Sequence, residues 1–428
     1  MDDRPGGPSQ FPILAIAAVL LISVGISSVS AGGDWISFRG NLQNTAASHQ
    51  DPGNLTKRWE FEADSSITTS VVIGDGYSIF GTFNGSVYRL DTNDGAVQWE
   101  MNLDAPVQST PALDTKRGAV YICDSSGTVT SLHLVNGTVK WQWVPEDGND
   151  IRSSPLVDDK IYFGSYDSYL YALETDGRLA WRFEGCLGWI HTSPSKMGDM
   201  VYFGSCDGMM RAVSASTGEE VWNFTSAYIP SSPAISEGRV YFGAYDSNFY
   251  CIDAYNGSLI WNTTLGNNIY SSPSVNGESV VVGCDDGKLY CMDAGSGDVQ
   301  WVLDLGPSPL ESSPLIAGGR TMVCYDQGMI VADLESGIVK QRFLWGNSAD
   351  VSPSTGRGLV LFGDAQGYVY CLESGKVVDD DDDMLDLNDE VDARRDVIFF
   401  AVGMFLVVNV LLFVFLRKYR KIRKNSRD

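Results

Sequence analysis

The sequence is poor in positive charge and in histidine. Its 428 residues include 30 lysines and arginines against 54 aspartates and glutamates, a formal net charge of −24, and three histidines in separate segments (His49, His133 and His191). Because nucleic-acid-binding surfaces are basic, this balance argues against a nucleic-acid partner. Metal-ligand spacings, a phosphate-binding P-loop and a nucleophile elbow are all missing. The sequence therefore predicts no cofactor, no metal site and no catalytic residue.

Helical periodicity is missing too, except at the two ends of the chain. In its place, a unit of about 40 residues recurs eight times, a spacing typical of propellers, solenoids and arrays. Each unit opens on a Ser-Ser-Pro-like tripeptide, with Val71 standing for the proline in the first unit. The other seven units carry Pro111, Pro155, Pro194, Pro233, Pro273, Pro314 and Pro353.

Hairpin chemistry fills each unit. In one of them, residues 161–164 and 169–173 are β-branched and aromatic runs, separated by Asp167 and Ser168 and followed by an Asp-Gly turn at 176–177. Such pairs tolerate the positive φ angles of tight turns. Four short strands fit the length of a unit, so each unit is predicted to form one propeller blade.

Most units close on a tryptophan. These residues are Trp59, Trp99, Trp141, Trp181, Trp222, Trp261 and Trp301, and Gln341 stands at the next expected place. A glycine lies four residues before each of the last six tryptophans. A large aromatic ring is usually buried between packed sheets. We therefore expect the tryptophans to be structural, each covering the neighbouring blade.

The ends of the array predict how the ring closes. The eighth unit, residues 353–375, stops before its fourth strand, whereas Trp59 has no unit of its own before it. Pairing of the strand around Trp59 with residues 368–372 would complete the last blade and leave no open edge. The predicted fold class is all-β: an eight-bladed β-propeller of four-stranded antiparallel blades over residues 34–378, closed by its N-terminal strand. A seven-bladed ring is the alternative.

Three segments, residues 90–99, 213–222 and 292–301, resemble the tryptophan-docking motif of pyrroloquinoline-quinone-like (PQQ-like) repeats. Residues 34–41 resemble the usual lead-in to such propellers. The resemblance implies one of two kinds of eight-bladed protein: the quinoprotein dehydrogenases, or the propeller subunit of the bacterial outer-membrane assembly machine. WD-repeat proteins match less well, because the Trp-Asp and Gly-His signatures are missing.

The dehydrogenase side of this resemblance implies an adjacent Cys-Cys pair and long insertions that build an active site. This sequence has no such pair, and the even length of its units leaves no room for insertions. We therefore expect a binding or scaffold module for envelope proteins or other surface ligands, and not an enzyme. A quinone- or metal-dependent oxidoreductase is the alternative.

The two ends of the chain predict its location. Residues 1–31 contain an apolar stretch and a small-residue pattern typical of a signal peptide, or of a signal anchor if uncleaved. Residues 397–416 carry no charge and are long enough for a C-terminal transmembrane helix, and the basic tail 417–428 follows it. Residues 379–396 form an acidic stalk. The propeller is thus predicted to be extracytoplasmic, on a cell membrane crossed once or twice, with a cytoplasmic C-terminal tail.

Two further residue types matter if the propeller is exported: cysteine, and asparagine in glycosylation sequons. The eight cysteines could form disulfides or be small buried strand residues with free thiols, and the sequence leaves both open. Six asparagines lie in glycosylation sequons, three of them in turn-forming Asn-Gly pairs. They are Asn54, Asn84, Asn136, Asn223, Asn256 and Asn262.

The candidate binding site lies where each unit begins. In the pattern apolar-X-Ser-Ser-Pro, the variable X residues are Thr68, Gln108, Arg152, His191, Pro230, Tyr270, Glu311 and Asp350. Strand alternation within the inner strands would turn all eight toward one mouth of the central channel. They form either a recognition ring for a peptide, glycan or extended chain, with Arg152 and Glu311 as charged poles, or a hydrated opening without a ligand.

Overall fold

The structure is a computed structural model that describes residues 33–146, 148–345 and 351–375, together with the backbone of residues 384–386. Strands of two to eight residues alternate with tight turns throughout these ranges. They form eight sheets built on four antiparallel strands each; seven take all four strands from one repeat unit, and the eighth takes its outer strand from the N-terminal end of the chain. The predicted eight-bladed all-β propeller is confirmed.

Two strands precede the first blade: β1 (Ala47–Ser48) and β2 (Leu55–Glu62). Blades 1 to 4 follow in chain order, each running from its inner to its outer strand. They comprise β3 (Val72–Gly74), β4 (Tyr77–Gly81), β5 (Ser86–Asp91) and β6 (Val97–Asn102); β7 (Ala112–Asp114), β8 (Ala119–Cys123), β9 (Val129–His133) and β10 (Val139–Trp143); β11 (Leu156–Val157), β12 (Lys160–Gly164), β13 (Leu170–Glu174) and β14 (Leu179–Phe183); and β15 (Ser195–Met197), β16 (Met200–Gly204), β17 (Met209–Ser214) and β18 (Glu220–Thr225).

Blades 5 to 7 repeat this plan. They comprise β19 (Ala234–Ser236), β20 (Arg239–Gly243), β21 (Asn248–Asp253) and β22 (Leu259–Thr264); β23 (Ser274–Val275), β24 (Ser279–Gly283), β25 (Lys288–Asp293) and β26 (Val299–Asp304); and β27 (Leu315–Ala317), β28 (Arg320–Tyr325), β29 (Gly328–Asp333) and β30 (Val339–Leu344). Blade 8 holds β31 (Ser354–Gly356), β32 (Leu359–Gly363) and β33 (Tyr368–Ser374), with β2 as its outer strand. The backbone of β34 (Met384–Asp386) pairs in parallel with β30.

The ring closes through the first long strand of the chain. β2 pairs antiparallel with β33, and Trp59 lies opposite Cys371, inside the predicted segment. Gln341 takes the place of an eighth tryptophan at this seam: its amide accepts the Leu55 N–H at 2.8 Å and donates to the Leu55 carbonyl at 3.1 Å. Leu55 stands four residues before Trp59, where the other blades have glycine. A tryptophan at position 341 would therefore have no glycine on which to pack.

The seven tryptophans dock each blade on the next. Each indole Nε1–H donates to a backbone carbonyl of the following blade at 2.8–3.2 Å. Each ring covers a glycine with positive φ, where an added Cβ would lie 2.5–2.9 Å from the indole. These glycines are Gly95, Gly137, Gly177, Gly218, Gly257, Gly297 and Gly337. The structure therefore explains the repeated Gly-x-x-x-Trp spacing as an inter-blade contact.

A strap made of residues 35–50 runs along the inner strands of six blades. Its backbone bonds to β3, β7, β15, β19, β23 and β27. Arg39 is buried and donates to the carbonyls of Pro273, Ser313 and Pro314. Burial lowers the pKa of Arg39 to about 9, so the guanidinium stays charged at neutral pH. Asn44 donates to the carbonyls of neighbouring blades in the same way.

Several predictions from the chain ends fall outside the described residues. These include the signal segment 1–31, the proposed helix 397–416 and the tail 417–428. Across the residues that the structure does describe, no helix has the length and apolar character needed to cross a membrane. Within the predicted stalk, the backbone of residues 384–386 is a strand, because the exposed edge of β30 offers unpaired backbone groups.

The cysteines and the sequons can be placed in the fold. The eight cysteines, all within the described residues, form no disulfide and seven of them are buried, which agrees with the second alternative, small buried strand residues. Five of the six sequon asparagines are exposed, and Asn54 is half-buried. The sequons thus lie mostly where a glycan could be attached.

Candidate functional site

The Ser-Ser-Pro tripeptides join neighbouring blades where these meet around the channel. In seven of the eight tripeptides, the N–H of the second residue donates to the hydroxyl of its counterpart in the next blade, at 2.9–3.1 Å. These bonds run from Ser70 through Thr110, Ser154, Ser193, Ser232, Ser272 and Ser313 to Ser352. Proline has no N–H to donate, so the inner strands begin only after it. The expectation that the X residues lie within those strands is therefore wrong: they lie in the segments just before them.

The X residues nevertheless meet at one cavity. Thr68, Gln108, Arg152, His191, Pro230, Tyr270 and Glu311 surround a space of about 470 Å³. Asp350 lies outside the described residues. The tripeptide hydroxyls line the wall, and Phe38 of the strap lines the cavity as well. We call this space, its lining residues and the side chains that adjoin them the mouth cup; the adjoining side chains form its rim.

One side of the mouth cup is aromatic. Tyr166 and Trp189 stack with 4.9 Å between ring centroids, His191 stacks on Tyr228 at 5.6 Å, and Tyr228 meets Tyr245 edge to face at 4.6 Å. Trp189 is 56 % exposed and Tyr245 is 38 % exposed. The rim therefore presents aromatic surface to solvent, which is available for stacking with a ligand.

Sequence reasoning missed four of these aromatic residues. Trp189 and Tyr228 stand two residues before an X residue, whereas Tyr166 and Tyr245 lie in the turns that follow β12 and β20. In an antiparallel blade, alternate turns lie on the same face, so both places lead to the mouth. Comparing these two positions across the repeats would have found all four residues.

The His191–Tyr228 pair forms a hydrogen bond at the wall of the cup. The Nε2 atom of His191 lies 2.7 Å from the Tyr228 hydroxyl. Burial, and then the charge of Arg152, lower the pKa of His191 to about 4, and burial raises the pKa of Tyr228. At pH 7 both groups are therefore neutral. A general acid or base works best with a pKa near the working pH, so this pair is suited to hydrogen bonding and stacking.

Arg152 has its own carboxylate partner. Its Nε–H donates to Asp150 at 2.8 Å, and the guanidinium lies 5.1 Å from the centre of the Tyr166 ring. The Asp150 carboxylate offsets the positive charge. The one cationic X residue thus adds little net positive charge to the mouth cup.

Next to this aromatic side, carboxylates lie close to two of the tyrosines. Burial, and then the charge of Glu311, raise the pKa of Tyr270 to about 12; burial, and then Asp285 and Glu311, raise the pKa of Tyr245. The Oδ1 atom of Asp285 is buried and accepts no hydrogen bond from any described residue. Tyr245, Tyr270, Asp285 and Glu311 thus lie within electrostatic range of one another, and we call these four residues the acidic corner.

The loops of the mouth face share this negative charge. These loops lead into the inner strands or join the second and third strands of a blade, and Arg152 is the sole lysine or arginine among their described residues. Their described acidic residues are Asp64, Asp104, Asp124, Glu146, Asp150, Asp167, Glu184, Asp207, Asp246, Asp285, Asp286, Glu311, Asp326 and Asp364. The turns of the opposite face, in contrast, contain basic as well as acidic residues; the basic ones are Lys116, Arg117, Arg178 and Arg357.

The mouth cup combines the properties of a recognition site. It is concave, it carries aromatic surface, and it places hydroxyl, amide and carboxylate groups around one axis. Within the described ranges, no cluster of histidine, cysteine, aspartate and glutamate has the arrangement needed to hold a metal ion.

Comparison with protein families identifies a relationship over most of the chain. Residues 47–182, 149–268, 206–337 and 251–382 match the PQQ_2 model, described as "Outer membrane protein assembly factor BamB". The chain belongs to this family. The resemblance to PQQ-like propellers is thereby confirmed. The BamB of Moranella endobia is 28% identical over 172 residues, which cover 36% of this chain and 43% of that relative. The match thus spans less than half of the relative's length.

Solved structures show the same fold. BamB from Moraxella catarrhalis aligns with a TM-score of 0.66 at 16% identity, covering 77% of this chain and 100% of that one. Quinohemoprotein alcohol dehydrogenase from Comamonas testosteroni aligns with a TM-score of 0.71 at 14% identity, covering 82% of each chain. Because one fold hosts many functions, these likenesses establish the fold alone.

Proposed function

We propose that this chain is a membrane-anchored, extracytoplasmic propeller that binds other envelope proteins through its mouth face. The observation that carries the proposal is the mouth cup, where several blades contribute different side chains to one concave site. The rim adds Trp189 and Leu187, and Leu187 is 95 % exposed. Exposed apolar and aromatic side chains of this kind are typical of surfaces that protein partners cover. The family description, an outer membrane protein assembly factor, supports the same role.

The proposed anchor is the uncharged segment 397–416 with its basic tail, and the proposed leader lies within residues 1–31. The exposed sequons agree with an extracytoplasmic propeller. Protease added to intact cells should then release the propeller by cutting within residues 379–396. Release from permeabilised cells alone would contradict this orientation.

Site-specific photo-cross-linking tests the proposed binding face. A photoreactive phenylalanine replaces Trp189 at the rim, or Val135, which is 78 % exposed in a turn of the opposite face. Both variants are expressed as the full chain in the native membrane. We expect discrete protein adducts from position 189 and none from position 135. Equal labelling at both positions, or adducts from position 135 alone, would overturn the proposal.

A quinone-dependent oxidoreductase is the second candidate, because the alcohol dehydrogenase shares this fold. Pyrroloquinoline quinone is a planar tricarboxylate. In the mouth cup the guanidinium of Arg152 is paired with Asp150, and Glu311 and Asp285 add negative charge. These residues do not fit such an anion. Titration of the purified protein with the quinone and Ca²⁺ should leave the absorption spectrum of the quinone unchanged, whereas a stoichiometric shift would favour the oxidoreductase.

A further inference from the structure

We propose that the acidic corner of the mouth cup binds the side chain of a lysine or arginine carried by an extended segment of a partner protein. This inference, which rests on the proposed function, names the chemistry by which the partner is recognised. It follows from three features of the structure: the charge of the mouth face, the aromatic residues beside the carboxylates, and the size of the cup.

The charge of the mouth face favours a cationic ligand. Two carboxylates, Asp285 and Glu311, belong to the acidic corner, while the cation of the cup, Arg152, is already paired with Asp150. The surrounding loops add acidic residues and no other lysine or arginine within the described ranges. Low-dielectric walls focus such a field into a cleft and raise the local concentration of positive groups. An acidic segment would be repelled by the same residues.

The aromatic residues of the acidic corner suit the same ligand. A lysine or arginine near the face of an aromatic ring is attracted by its quadrupole. Tyr245 is 38 % exposed beside both carboxylates, and Tyr270 lines the cup. Arg152 above the Tyr166 ring shows that this cup already holds one guanidinium over a tyrosine. Trp189 at the rim would cover an apolar neighbour of the bound cation.

The size of the cup points to a side chain on an extended segment. Its volume of about 470 Å³ is within the range of small-ligand pockets, about 300–1,000 Å³. A folded domain cannot enter such a space. Phe38 of the strap lines the cup, and the strap residues Arg39 and Asn44 donate to carbonyls of the tripeptides that form its wall. A loop or a chain end laid over the rim can place one side chain in a space of this size.

Selection from a random heptapeptide library displayed on phage tests the inference with the immobilised full chain. We expect enrichment of peptides that combine lysine or arginine with an apolar residue. A selected peptide should bind about tenfold more weakly to the variant Asp285→Asn with Glu311→Gln. Glu146→Gln, an exposed mouth-face change outside the cup, is the matched control and should alter affinity less than about twofold.

A second pair of variants isolates the aromatic contact. Tyr245→Phe keeps the ring face and should retain affinity, whereas Tyr245→Leu removes it and should weaken binding several-fold, about threefold or more. Enrichment of acidic or neutral peptides, no enrichment at all, or equal binding by the double carboxylate variant would overturn the inference. If the inference fails while position 189 still cross-links to proteins, the proposed function stands and only the ligand chemistry is wrong.

Discussion

The seam between blades 7 and 8 gives a quantitative test of how the ring closes. Gln341 is 6 % exposed, and its amide satisfies both backbone groups of the fully buried Leu55. Gln341→Ala leaves one buried N–H and one buried carbonyl without a partner. Each such group costs about 1–3 kcal/mol, so the free energy of unfolding should fall by about 3 kcal/mol. For a domain of this size, that corresponds to a melting temperature lower by roughly 4 °C.

Denaturant unfolding of the purified protein, followed by tryptophan fluorescence, measures this loss. Gln98→Ala is the matched control, because Gln98 is an exposed glutamine one residue before a docking tryptophan, and it should change stability by less than about 0.5 kcal/mol. The Gln341 variant should also aggregate more readily, because β2 is held less firmly and its departure exposes the edge of β33. If Gln341→Ala and Gln98→Ala unfold at the same denaturant concentration, the amide does not hold the seam.

Three further predictions concern the docking glycines, the strap and the cup. Gly218→Ala would place a Cβ 2.7 Å from the Trp181 ring, whereas Gly118 also has a positive φ but has open space around it. In thermal melts, Gly218→Ala should therefore lower the free energy of unfolding by about 2 kcal/mol more than Gly118→Ala does. Arg39→Met leaves buried carbonyls without their donor and should lower the free energy of unfolding by about 3 kcal/mol; an unchanged value would mean that the strap is not anchored there. Burial lowers the pKa of His191 from its ordinary 6.5 to about 4, so the unfolded chain binds the extra proton between these pH values. The free energy of unfolding should then fall by about 2.5 kcal/mol as the pH drops from 6.5 to 4, and His191→Gln should lose that part of the pH dependence.

Contacts that every blade repeats could be predicted from the sequence. The recurring tryptophans predict docking on the next blade, as Trp181 docks on Gly218, and the unpaired Trp59 predicts closure because a ring needs its last strand. A contact that occurs in only one place produces no repeating pattern in the sequence. Gln341 holds Leu55 across 286 positions, and Arg39 reaches a carbonyl 275 positions away. Neither pairing can be predicted from the local sequence pattern.

The candidate site also has one part that the sequence predicts and another that it does not. The X positions were visible because they vary between constant neighbours, and seven of them do meet at the cup. The aromatic side is harder to predict, because Trp189 and Tyr245 occupy two different positions of the repeat. The stacking of antiparallel turns on one face brings these two positions together. The position of the strap behind the cup could not be predicted, because residues 35–50 carry no repeat signal.

The measurement that tests the central claim most directly is the affinity of the full chain for the partner captured at position 189, with and without the double change Arg152→Ala and Glu311→Ala. Both residues line the mouth cup, away from the packed core. The free energy of unfolding should therefore change by less than about 0.5 kcal/mol, and the melting temperature should stay nearly the same. Recognition through the mouth predicts an affinity lower by about tenfold or more. An unchanged affinity in the folded double variant would contradict it and assign binding to another face of the propeller.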